Sequence, residues 1–396
     1  MQSTKVDESQ RIGVALAGLA GLALAIGIGR FSYTALLPMM QADQGLSLSE
    51  GSWLALANLL GYLIGGLTAT HFRHRAVQCL RASIIVIVVS MALMALTSGL
   101  WWWSIWRLLA GIASAWVMVM VSVLCLPRLI TKPVLAGWVY SGVGVGIFLG
   151  GAICLILVVL NFSASSAWMI LALVCVALGL FVWHRLAPAA MSGQSSAAQK
   201  PNHNPSEKID QARLWKLVIC YGLYGFGYIL PATYLPAQAR MLLADHWIYG
   251  VAWPIFGMAA IGTTLVAGLL AHRMGRLPTW IGAHLVMAMG LVVPVVWPQL
   301  TGIIVAAVAV GGTFVVITLL AMQEAQRRAG HQAPIWLARL TMAFATGQIA
   351  GPIFVMWAGE RLTLSLLVAA GVLTVSAGAL WQQWRKDQQN PQMRHP

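Results

Sequence analysis

Twelve stretches of this chain run apolar for long enough to cross a lipid bilayer: residues 12–38, 50–72, 77–98, 101–126, 134–160, 165–184, 214–238, 247–271, 279–297, 301–322, 335–358 and 362–384. A helix of roughly 20 apolar residues spans the hydrocarbon core, and in that core each backbone N–H and C=O must be satisfied internally. The stretches therefore predict transmembrane helices. Barrel strands are excluded, being short and alternating with period two. A water-soluble fold is excluded too, since 59% of the residues are hydrophobic and only 9% charged, against about a quarter charged in soluble domains.

The formal net charge of +14 raises the question of nucleic acid, and the distribution of the charge answers it. With the first span starting in the cytoplasm, seventeen of the 24 Lys and Arg fall in loops or tails on one side, and only Arg240 and Arg361 lie in loops on the other. That is the positive-inside bias, and it predicts both termini in the cytoplasm. A nucleic-acid surface would gather its cations on one folded face; here they are spread over short loops. The five cysteines lie in or beside apolar runs without close spacing, which suggests packing residues rather than a disulfide frame or a metal site. The first apolar run is too long for a signal-peptide core and reads as a retained helix. Trp101, Trp102 and Trp103 at one predicted boundary, and Trp381 and Trp384 at another, read as interfacial anchors.

The chain also repeats itself. Gly27-Ile-Gly-Arg-Phe-Ser-Tyr-Thr-Ala-Leu-Leu-Pro38 returns, 198 residues later, as Gly225-Phe-Gly-Tyr-Ile-Leu-Pro-Ala-Thr-Tyr-Leu-Pro236. Between the halves lies the one long polar stretch, rich in Ser, Ala, Gln, Asn and Pro, which reads as a flexible cytoplasmic linker. The expected organisation is a six-helix bundle over residues 1–185, a linker over 186–213 and a second six-helix bundle over 214–396. Repeated bundles of this kind are the architecture of secondary transporters.

Further patterns recur across the halves. Gly268-Leu-Leu-Ala-His272-Arg273-Met-Gly275-Arg276 follows the eighth span, and a degraded copy runs from Gly66 through Thr70 and Arg73 to Arg75 after the second. Gly142-x-x-x-Gly146-Ile147-x-x-Gly150-Gly151 lies in the fifth span and Gly347-x-x-x-Gly351-Pro352 in the eleventh. Small residues four apart let helix backbones approach closely in lipid. Together with Arg107-x-x-x-Gly111 in the fourth span, these patterns resemble the major facilitator superfamily over essentially the whole chain. Within it, the first-span run looks like the bacterial YbfB/YjiJ-type transporters.

The resemblance implies twelve helices in two six-helix bundles, an inner (cytoplasmic) membrane location and alternating access. It implies gating roles for Gly66, Arg73, Gly268, His272, Arg273, Gly275 and Arg276. Thr70 and His272 stand where the superfamily places Asp, so the inner gate is expected to be built without that carboxylate. The fifth-span Gly motif is associated with exporters, and here Ile147 replaces its Pro.

None of the ten acidic residues lies deep in a span, whereas Arg30 and Arg107 do. A mid-membrane cation costs roughly 2.5–3.5 kcal/mol on insertion scales and is tolerated mainly toward a cavity or partner. Arg30 lies about eight residues, and Arg107 about six, from the same outer face, so their depths agree within about a turn. In the superfamily fold, spans 1, 4, 7 and 10 line the central cavity, which makes the pair an anion site. The competing reading is structural: each Arg could bond carbonyls of a neighbouring helix. Tyr33 and Thr34 lie at i+3 and i+4 from Arg30, hence on its helical face. Tyr221, Tyr224 and Tyr228 form a stripe on the seventh span, with hydroxyls facing the arginines or rings merely packing between helices. Asn58, Tyr62, Thr313 and Thr318 are lesser candidates, Gln348 is expected to bond across helices, and His284 to pack.

The expected function is secondary active transport of a small organic anion; a multidrug-type exporter of amphiphilic compounds is the alternative. No enzyme activity, catalytic residue, cofactor or metal is expected. The expected partners are the small-molecule substrate, the bilayer and a coupling proton, with the protein a monomer.

Overall fold

The computed structural model describes residues 2–186, 210–242, 248–358 and 361–389, and no strand occurs among them. Most of the expected linker, 187–209, lies outside the described residues. Eleven continuous helical stretches are long and apolar enough to cross a membrane, and one of these, Thr301–Val355, runs for 55 residues. At about 1.5 Å per residue that is more than twice the bilayer core. The stretch divides at Gly330, whose φ is 51°, into Leu300–Ala329 and Ala333–Trp357. Among the described residues the spans therefore number twelve.

Span 1 is composite: Gln2–Leu22, a π-helical segment Ala23–Ile28, and Ser32–Gln44. Spans 2 to 6 are Leu48–Thr68, Ala76–Leu96, Leu100–Cys125, Pro133–Val159 and Ala164–Arg185. Spans 7 to 12 are Gln211–Leu242, Ile248–Met274, Arg276–Val296, Leu300–Ala329, Ala333–Trp357 and Leu362–Gln389. Local chemistry sets several of the ends. Span 2 opens with a capping box, the Ser47 hydroxyl accepting from the Glu50 N–H and the Glu50 carboxylate from the Ser47 N–H. Asp43, at the C-terminal end of span 1, accepts from the Ala164 N–H that opens span 6.

In the first bundle, span 1 packs on spans 5 and 6, span 2 on span 4, and span 3 on spans 4 and 6. The second bundle repeats each pair six spans later. Between bundles, span 5 packs on span 8 and span 2 on span 11, and the same shift exchanges these two contacts. This is the pseudo-twofold arrangement of parallel repeats about an axis along the membrane normal.

Close backbone approach holds the bundles together, as expected where lipid removes the hydrophobic drive between helices. A Cβ at Gly146 would collide with the Ala23 carbonyl of span 1, and one at Gly347 with the Gly222 carbonyl of span 7. Span 5 carries a second stripe that the motif reading did not separate. Gly137, Gly144 and Gly151, seven residues apart, all face span 8, and a Cβ at Gly144 would come within 2.9 Å of the Ile261 nitrogen. One helix thus has one glycine face for its own bundle and another for the opposite bundle.

The five cysteines are buried and free. Trp101 and Trp102 are exposed, as interfacial anchors should be. Trp103 departs from that expectation: it is 5% exposed, its indole N–H donating to the Thr97 carbonyl at 3.0 Å, because the helix turns its third Trp toward the bundle.

Candidate functional site

Span 1 breaks its α-helical ladder at the repeated Gly-Ile-Gly-Arg. The Gly29 N–H bonds the Leu24 carbonyl at 2.8 Å and the Phe31 N–H bonds Ile26 at 3.2 Å, both i to i−5. The widened turn aims carbonyls sideways, and other helices answer them. Ser114 Oγ donates to the Ala25 carbonyl at 2.8 Å, and the Trp253 indole, from the opposite bundle, donates to the Phe31 carbonyl at 3.2 Å. Such π-bulges occur frequently at functional sites. Arg30 stands in the turn that follows this one.

Arg30 is 5% exposed. Its guanidinium donates to Gln348 Oε1 of span 11, across the bundle interface. It also lies 4.2 Å from the Tyr62 ring centroid and 5.3 Å from that of Phe31, within cation–π range. No carboxylate among the described residues pairs with it. Arg30 lines a cavity of about 20 Å³ at the bundle interface, together with Tyr62, Phe31, Tyr221, Phe314 and Phe344.

Arg107 is 3% exposed but is not part of that lining. Its Nη1 reaches the Gly29 carbonyl at 3.5 Å and its guanidinium lies 4.3 Å from the Tyr33 ring centroid. Its Nε has no partner. Tyr33 was expected on the Arg30 face; instead its ring serves Arg107, its hydroxyl donates to the Gly51 carbonyl at 2.7 Å, and Tyr62 lies against Arg30. The physical reason is the turn at 29–31: the i+3 and i+4 rule assumes an unbroken helix. Thr34 is half-buried, one residue further along.

All three tyrosines of span 7 are buried. Tyr221 donates to Thr318 Oγ1 at 3.1 Å and Tyr224 to the Phe314 carbonyl at 2.8 Å, so two of the hydroxyls are engaged within their own bundle. The Tyr228 hydroxyl is buried without a partner, and so is the Gln348 Nε2. Asn58 donates to the Arg107 carbonyl at 2.9 Å. The Thr313 hydroxyl turns back to the Ala309 carbonyl at 2.6 Å. His284 packs between Trp280 and Ser376, its ring nitrogens 3.3 Å from the Trp280 carbonyl and 3.2 Å from Ser376 Oγ.

At the end of the bundles that carries the loop motifs, Gly66 is buried against Met342 of span 11. The side chain of Arg73 lies outside the described residues. Gly268 is buried, while His272 and Arg273 are exposed. Gly275, with φ 93°, makes the tight turn between spans 8 and 9, a conformation that favours glycine. Arg276 lines a small inter-bundle cleft with Arg327, Gln323 and Leu129.

A carboxylate that sequence reasoning passed over stands nearby. Glu324, two residues past the expected apolar run but still within the helix of span 10, is buried and pairs with Arg327 at 2.8 Å and Arg328 at 2.5 Å. Arg328 continues to Asp387 of span 12 at 2.5 Å, and Asp387 to Arg213 of span 7 at 2.7 Å. The signal was present as Glu-x-x-Arg-Arg, the i, i+3, i+4 spacing of helical ion pairs.

A family model described as "Uncharacterised MFS-type transporter YbfB" matches residues 22–381. No curated protein matches the chain. Among solved structures, the chain is similar to the crystal structure of the human organic anion transporter MFSD10 (TETRAN), with a TM-score of 0.71 at 14% identity, covering 94% of this chain and 99% of that one. At such identity the likeness is one of fold.

Proposed function

The chain belongs to the YbfB-type family of MFS transporters, and on that premise we propose that it moves a small organic anion across the inner membrane by alternating access. One observation carries the reading: Arg30, buried at the meeting of the two bundles and lining the cavity between them, is held by a neutral amide and by aromatic faces rather than by a carboxylate. A guanidinium so placed has room in its bonding for an anion, which it grips bidentately and with fixed geometry. The similarity to a human organic anion transporter supports the same reading. We place both termini in the cytoplasm, from the excess of Lys and Arg in the loops on that side.

The test is uptake and counterflow in proteoliposomes with labelled organic anions, cations and neutral sugars. Anions should be transported, Arg30→Ala should weaken their apparent affinity by more than about tenfold, and Arg30→Lys should recover part of it, since Lys keeps the charge and loses the planar fork. Preferred transport of cations, or unaltered anion affinity in Arg30→Ala, would sink the reading.

A further inference from the structure

We infer that the anion is a monoanion with an aromatic or similarly flat apolar body, its carboxylate inserting between Arg30 and Gln348; this rests on the anion reading above. The first observation is that a single cation lines the cavity. Arg107 turns instead to the Gly29 carbonyl and the Tyr33 ring. A second carboxylate on the substrate would be desolvated without a counter-charge, which is strongly unfavourable.

The second observation is the rest of the wall. Phe31, Phe314 and Phe344 supply ring faces and edges, with Phe31 and Phe314 meeting edge-on at 6.0 Å between centroids. The one tyrosine of span 7 in the lining, Tyr221, has already donated its hydroxyl to Thr318. A wall of this kind gains by contact with an aromatic or aliphatic body and offers little to the hydroxyls of a sugar.

The third observation concerns Gln348. Arg30 has only donors, so the atom facing it is the amide oxygen. The amide nitrogen is buried without a partner. A carboxylate placed between the two side chains accepts from the guanidinium and from that nitrogen, and both buried groups are then satisfied. Arg30 belongs to span 1 and Gln348 to span 11, and the cavity has room for about one water. Insertion therefore requires the bundles to part at this point, which ties recognition of the anion to opening of the site.

The experiment measures binding to the purified full-length protein in nanodiscs by calorimetry and thermal shift, with four probes: phenylacetate, phenylethylamine, succinate and acetate. Phenylacetate should bind and raise the melting temperature. Acetate and succinate should bind at least about tenfold more weakly, and Arg30→Ala should lose about tenfold in phenylacetate affinity. Gln348→Leu should lose a smaller factor, about threefold to tenfold, as one neutral donor is removed. Arg30→Lys guards against misfolding of the Ala variant and should fall between it and the native protein. Succinate or acetate binding as tightly as phenylacetate would overturn the apolar monoanion while leaving the anion reading in place. Preference for phenylethylamine, or no binding of any probe, would overturn both.

Discussion

A buried guanidinium needs five N–H groups answered, and Arg30 and Arg107 answer them differently. Arg107 rests on a carbonyl and a ring of its own bundle, whereas Arg30 reaches across to the other. The same contrast divides the tyrosines of span 7. Tyr221 and Tyr224 spend their hydroxyls inside the second bundle, and Tyr228 keeps its hydroxyl buried and unmatched against a ring stack with Phe314 at 5.1 Å. Tyr221→Phe and Tyr224→Phe should each destabilise the protein by about 1 kcal/mol, the net value of a hydrogen bond. Tyr228→Phe should leave stability unchanged or slightly raised, because removing an unsatisfied buried polar group relieves its desolvation. Thermal melts in detergent, measured side by side, check both directions.

Among elements, span 5 shows how a helix can serve two bundles at once. Its Gly142 and Gly146 meet span 1, while Gly137, Gly144 and Gly151 meet span 8. Gly144→Ala is expected to push backbone against backbone and cost about 1–3 kcal/mol, in the range of overpacking, and to slow transport. Gly262→Ala, where a Cβ meets nothing within 4 Å, should be neutral or stabilising by up to about 1 kcal/mol from helix propensity. Melting temperatures and uptake rates for the pair separate the packing effect from a general intolerance of substitution. The N-terminal end of span 7 and the C-terminal ends of spans 10 and 12 are joined by the Glu324–Arg328–Asp387–Arg213 chain. Glu324→Gln leaves Arg328 partly unpaired in a buried setting and should cost about 3–5 kcal/mol, read as a lower melting point. An unchanged melt would show that Asp387 alone suffices.

At the scale of the whole molecule, the exchange of spans 5 and 8 with spans 11 and 2 gives two equivalent seams about one axis. The cavity between them, about 20 Å³, is too small for an organic anion, so transport requires a state in which the seams part. The seams run beside glycine faces and aromatic edges rather than ion pairs: every salt bridge among the described residues lies within one bundle. Rocking of the bundles therefore breaks packing and the Arg30–Gln348 and Trp253–Phe31 bonds but no charge pair. The even number of spans places the two ends of the chain on one side. An alkaline phosphatase fused after Lys386 should accordingly be inactive and a green fluorescent protein at the same position bright; the reverse result would contradict the topology.

Twelve spans in two repeated halves were legible in the residues alone, because they depend on local length, hydropathy and internal repetition. That Arg30 is a buried charge without a carboxylate was legible for the same reason: an uncompensated charge in an apolar run is conspicuous without any structure. What Arg30 touches was not. The turn at 29–31 interrupts the helix between Arg30 and Tyr33, so Tyr33 passes to Arg107 while Tyr62, from another helix, takes the place beside Arg30. The role of Glu324 escaped because it lies just beyond an apolar run, and only the convergence of three helix ends makes it a buried hub. Periodicity within one helix names its faces, but which faces meet is settled by the packing of all twelve, and side-chain chemistry at a seam exists only once both sides are in place.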